Sequence, residues 1–207
     1  MKRTIIATLC IILSYPVSGH ALTGLSFGAK VDMATYSGDV LPNSGDIGSV
    51  TRWGALISFG ALPVLDFELR ASYMEEQTSY TADYGGYSYS ADYTFQDAAG
   101  YAVLKANLFA PMASPVALYV GGGAGVHFMN TEIANLALQG GGVLPSTNPL
   151  DIAEATARPS GVGLLGMRVA PPGFPIALFG EASYEMIFAS EERIDVTSLS
   201  AGLLFRF

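Results

Sequence analysis

The sequence predicts an all-β protein, an eight-stranded antiparallel up-and-down transmembrane β-barrel. Three observations predict it. Eight segments alternate apolar and polar residues with a period of two, so each has one greasy face and one polar face. The connections between them alternate between long and short. Of 207 residues 50% are hydrophobic and only 14% charged, yet no apolar run of 18 or more follows Ala21 that could form a membrane-crossing helix.

The first segment is read as an export signal rather than part of the fold. Lys2 and Arg3 are its positive start, Ile5 to Leu13 its apolar run, and Gly19-His20-Ala21 a small-residue cleavage site after Ala21. Cys10 lies inside the apolar run behind Leu9, where a lipoprotein signal would place a small residue, so lipidation is not expected. The barrel domain is then 22–207. It has no cysteine, hence no disulfide framework and no zinc cluster. Eight basic residues face eighteen acidic ones, a net charge of −10. That balance speaks against nucleic acid as a partner.

The strands follow in order. Leu25 to Met33 sets Leu25, Phe27, Ala29, Val31 and Met33 against Ser26, Gly28, Lys30 and Asp32. Arg52 to Ala61 sets Trp53, Ala55, Ile57 and Phe59 against Arg52, Gly54 and Ser58. Phe67 to Tyr73 sets Phe67, Leu69, Ala71 and Tyr73 against Glu68, Arg70 and Ser72. Ala98 to Leu108 has apolar residues or glycine at even positions, with Tyr101, Lys105 and Asn107 opposite. Val116 to Phe128 opposes Leu118, Val120, Ala124, Val126 and Phe128 to Tyr119, three glycines and His127. Gly161 to Val169 places Arg168 opposite Leu165 and Met167. Ile176 to Met186 sets Glu181, Ser183 and Glu185 against Leu178, Ala182 and Tyr184. Leu199 to Phe207 sets Leu199, Ala201, Leu203, Phe205 and Phe207 against Ser200, Gly202 and Arg206.

Long connections are expected at about 37–50, 76–92 and 129–156, a medium one at 188–193, and short, proline-marked ones at 62–65, 109–115 and 170–175. Alternating Tyr and Ser at 87–90 would continue two strands as a hairpin beyond the membrane, and Glu132 to Gln139 reads as a short helix.

A soluble barrel would also alternate, with its apolar face inward. Scarce charge favours lipid outside, since soluble surfaces carry roughly 25–35% charged residues. The polar face carries a nearly balanced set expected to pair in a narrow lumen: Lys30, Asp32, Arg52, Glu68, Arg70, Lys105, Arg168, Glu181, Glu185 and Arg206. Aromatics stand near strand ends of the apolar face, Trp53, Tyr73, Phe128 and Tyr184 at one end, Phe59, Phe67, Phe205 and Phe207 at the other. These suit interfacial girdles.

Ser200, Gly202, Phe205 and Phe207 are spaced like the C-terminal signal that the barrel assembly machinery reads in outer-membrane proteins. Tyr119-Val-Gly-Gly-Gly-Ala-Gly-Val126 is similar to a glycine-rich strand of the OmpA-like small-barrel superfamily. Phe179-Gly-Glu181 with Ser183-Tyr184 resembles that superfamily's penultimate strand, with Ser183 where arginine is common. The resemblance implies fold, an outer-membrane location, and outer-membrane lipid, lipopolysaccharide and the assembly machinery as partners. It leaves activity open, because the superfamily includes adhesins and structural anchors. With the chain ending at Phe207, the separate peptidoglycan-binding domain of the full OmpA type is expected to be absent.

No cofactor, metal or catalytic site is expected. His127 would suit a base of the kind in outer-membrane lipid A deacylases, but Met129 stands where their arrangement needs serine, so it reads as a lumen-rim histidine bonded to a neighbour. Glu181 and Glu185 would suit acid–base work, but basic residues on the same face make salt bridges the simpler use. The run Gly121 to Gly125 lacks the following lysine and helix of a phosphate loop, and reads as packing space. The connections 37–50, 76–92 and 129–156 are the expected surface for any ligand. The second is rich in tyrosine and acid, and tyrosine gives contact area at low entropy cost. Glu191 and Glu192 add acid that could share divalent cations with lipopolysaccharide phosphates. The leading reading is a structural or surface-contact protein. The alternatives are a narrow channel for small or hydrophobic solutes and a lipid-modifying enzyme.

Overall fold

The computed structural model describes residues 24–38, 48–62, 65–84, 87–109, 115–139, 156–171, 173–188 and 193–207. Eight strands follow one another: β1 (Leu25–Ser37), β2 (Gly48–Leu62), β3 (Leu65–Tyr84), β4 (Tyr87–Phe109), β5 (Val116–Gln139), β6 (Thr156–Val169), β7 (Ile176–Phe188) and β8 (Arg193–Arg206). Each pairs antiparallel with its sequence neighbour, and β1 pairs with β8, so the sheet closes into a barrel with up-and-down order. Closure satisfies the backbone groups that an open sheet would leave at its edges.

The register puts the expected faces where the alternation places them. Trp53, Leu69, Tyr73, Leu104, Leu118, Phe128, Leu165, Leu178, Leu199 and Phe205 are all exposed on the outside. Lys30, Asp32, Arg52, Glu68, Arg70, Lys105, Glu181 and Glu185 are all buried inside. This inversion of the usual soluble pattern is what a lipid-facing wall requires. Phe59 pairs with Phe67 and Phe27 with Phe205 at the short-turn end, while Trp53 pairs with Tyr73 toward the other. At that other end the Tyr73 hydroxyl donates to Glu75 Oε2 at 2.9 Å. Tyr184 bonds Asp195, which also accepts from Arg193 at 2.8 Å. Each belt tyrosine thus has its ring on the apolar wall and its hydroxyl on a carboxylate one step further out, the arrangement an interface favours.

Two expectations are corrected. Glu132 to Gln139 is strand, not helix, because β5 continues against β4 as far as Ser88↔Gln139. The stretch 76–92 is not a loop: β3 and β4 remain paired to Tyr84↔Tyr87, and the hairpin expected at 87–90 takes in the whole segment. The export signal, the connections 39–47, 140–155 and 189–192, and the turns at 63–64 and 110–114 lie outside the described residues. So do the glycine run 140–142, Glu191, Glu192, Pro172 and the tyrosine side chains of 80–91.

Candidate functional site: the barrel interior and the projecting sheet

The interior is filled in layers. Toward the long-connection end lies a buried apolar cluster of Ala34, Tyr36, Val50, Met74, Phe95, Met129, Ile187, Ile194 and Val196. These come from seven of the eight strands, with Tyr36 and Phe95 packed edge to face at 6.0 Å.

Beneath it runs a continuous polar chain. The Tyr36 hydroxyl donates to Asp97 Oδ2 at 2.7 Å, and His127 Nδ1 lies 2.9 Å from the same oxygen. His127 Nε2 is 2.8 Å from the Tyr101 hydroxyl, which is also 2.8 Å from Glu185 Oε2. Arg52 holds Glu185 by two parallel bonds, Nη1 to Oε2 at 3.0 Å and Nη2 to Oε1 at 2.8 Å. This is the fork geometry that makes arginine–carboxylate pairs strong. Arg52 Nη2 is 3.6 Å from Asp32, which accepts from Lys30 Nζ at 2.8 Å.

A second cluster lies nearer the short-turn end. Lys105 Nζ donates to Glu68 Oε2 and to Glu181 Oε1, both at 2.7 Å. Arg70 bonds Glu68 through Nε and Glu181 through Nη2, the latter at 2.8 Å. The Tyr119 hydroxyl donates to Glu181 Oε1 at 2.7 Å, and the Lys105 ammonium lies 4.6 Å from the Tyr119 ring centre. Beside these charges pack Leu56, Ala177, Phe179 and Leu204.

The glycines make room for the rings. Tyr101 pairs in register with Gly125, Tyr119 with Gly166, and Phe179 with Gly202. A methyl group at any of the three would collide with the opposite ring, at 2.5 Å from Tyr119 Cζ in the case of Gly166. Each aromatic therefore lies across a neighbouring strand where there is no side chain.

Of the residues named from sequence, Lys30, Asp32, Arg52 and Glu185 come together in one cluster and Glu68, Arg70, Lys105 and Glu181 in the other. Arg168 stands lower, 3.3 Å from Asp66 and partly exposed. Arg206 joins neither: it is exposed and donates to the Phe174 carbonyl oxygen at 3.1 Å. His127 is not at a rim but fully buried beneath the apolar cluster. Ser200 and Gly202 face the interior, while Phe205 and Phe207 face outward. Sequence reasoning missed Tyr36, Asp97 and Asp66. Asp97 shares the period-two face of Tyr101 and Lys105, and extending that strand one residue would have found it.

Three strands run further than the rest, while β1 and β2 stay paired as far as Tyr36↔Gly48. β3, β4 and β5 have 20, 23 and 24 residues, against 13 to 15 in the other five. Pairing of β2 with β3 stops at Trp53↔Tyr73, and that of β5 with β6 at Met129↔Thr156. Pairing within the trio continues to Tyr84↔Tyr87 and Ser88↔Gln139.

A closed barrel of eight antiparallel strands has solved counterparts. Neisserial surface protein A (NspA) superposes with a TM-score of 0.54 over 88% of this chain and 97% of that one, at 15% identity. The fold is that of a small outer-membrane barrel. Structural similarity extends to Ail, the attachment invasion locus protein of Yersinia pestis, with 14% identity, TM-score 0.48 and coverage of 89% and 98%. It extends also to the outer membrane protein OprG from Pseudomonas aeruginosa, with 14% identity, TM-score 0.47 and coverage of 88% and 96%. No protein-family model and no curated protein sequence matches the chain.

Proposed function

We propose that this chain is a bacterial outer-membrane protein whose role is structural and contact-forming rather than conducting or catalytic. The observation that carries the reading is the division of the molecule. Its interior is occupied by side chains, and the sheet of β3, β4 and β5 extends beyond the barrel wall. An eight-stranded barrel is just wide enough to be filled in this way. The apolar layer and the two ion-pair clusters hold the cylinder rigid and shut. His127 has both ring nitrogens against protein oxygens and no exposed surface, which supports a packing role over a catalytic one. The belt rings hold the barrel at the level of the lipid headgroups, where lipopolysaccharide would surround the outer rim. Ser200, Gly202, Phe205 and Phe207 serve as the assembly signal, and residues 1–21 as the cleaved export signal.

In this reading the projecting sheet lies outside the cell. A cysteine replacing Gln77 should react with a membrane-impermeant maleimide on intact cells. One replacing Asn107 should react only after the outer membrane is opened. The opposite pattern would overturn the reading.

A further inference from the structure

We propose that the outer edge of β3 is a docking site for an extended, cationic polypeptide segment, which pairs with it as an added strand. The inference rests on the surface-contact reading and names the chemistry of the contact. From Glu75 to Tyr84, β3 is paired with β4 on one side, and among the described residues nothing is paired with it on the other. Tyr84 pairs with Tyr87 with two residues of chain between them, so that pair is a hydrogen-bonded one and every second pair back along the two strands is the same. Glu76, Thr78, Tyr80 and Ala82 therefore spend their backbone groups on β4. Glu75, Gln77, Ser79, Thr81 and Asp83 turn theirs to the open side. Ten residues at about 3.3 Å each make an edge of about 33 Å.

Natural edges are commonly blunted by proline, by lysine or by a bulge. This one has no proline or lysine from Glu75 to Tyr84, and its pairing with β4 runs without a register shift. Its chemistry also selects the occupant. The projecting parts of the three strands carry Glu75, Glu76, Asp83, Asp92 and Glu132 and not one lysine or arginine. At the same end Arg193, the first residue of β8, is held by Asp195 at 2.8 Å. A second copy of β3 would bring like charges together along the new pair, which is unfavourable, whereas a strand bearing lysine or arginine would meet opposite charges. Strand addition gains main-chain hydrogen bonds, and the side chains supply the selectivity.

The test uses the whole protein folded in nanodiscs of zwitterionic lipid. The probe is a fluorescent ten-residue peptide of alternating lysine and threonine, followed by anisotropy. Saturable binding is expected, weakened at least tenfold by Gln77→Pro, which removes an edge-facing N–H but no bond to β4. A peptide of the same charge with N-methylated backbone amides, offered to the unaltered protein, should bind at least tenfold more weakly. It keeps the test decisive if the proline variant fails to fold. Equal binding of the methylated peptide would reduce the site to a diffuse acidic surface and overturn strand addition. Equal binding of a glutamate–threonine peptide would overturn the charge argument. If Gln77→Cys is labelled on cells and the lysine peptide fails to bind, this inference alone is lost. If Gln77→Cys is shielded on cells, the surface-contact reading falls first.

Discussion

Arg52 reaches from β2 across the lumen to Glu185 on β7 and is 1% exposed. The buried Glu185 carboxylate takes two bonds from it, and Asp32, held by Lys30, lies 3.6 Å away. A buried pair is weak evidence of stability in itself, but removing one partner strands the other charge away from water. Arg52→Ala should therefore cost about 3–5 kcal/mol in urea unfolding of the membrane-inserted protein. The double variant Arg52→Ala with Glu185→Ala should cost less than the two single changes added together, because the stranded charge goes too. Strict additivity would show that the two side chains do not act as a pair. The charged partners were legible as a set, because a period of two assigns each to the inner face. Which of them meet was not legible. That depends on the stagger of strands distant in sequence, which no local pattern records.

At the scale of the element, the strands' existence was legible and their length was not. Alternation of apolar and polar residues reports a wall with lipid on one side. Where β3 and β4 continue from Glu75 to Thr94, that signal stops. The alternation gives way to Tyr, Ser, Thr and acid, and the segment reads as loop. The misread helix at Glu132 to Gln139 has the same origin, since its pairing with 88–94 is long-range. The register predicts a two-residue rhythm in backbone protection. In hydrogen exchange, amides of Glu76, Thr78, Tyr80 and Ala82 should be protected by β4, and those of Gln77, Ser79 and Thr81 should exchange faster. Uniform protection along the strand would mean that the edge is already paired.

For the whole molecule, the two faces of the sheet divide the work. Outward residues make the barrel soluble in lipid, and inward ones decide whether anything passes through it. Three lumen rings laid over three glycines, an apolar layer from seven strands and two charge clusters occupy the interior. The glycine-rich segment of β5 was legible as packing space, though the Tyr101 ring that lies over Gly125 needed the register to be seen. The measurement that tests the closed interior most directly is single-channel conductance of the folded protein in a planar bilayer. A silent membrane is predicted. Discrete, reproducible openings from the unaltered protein would show a continuous path through the lumen and contradict the account.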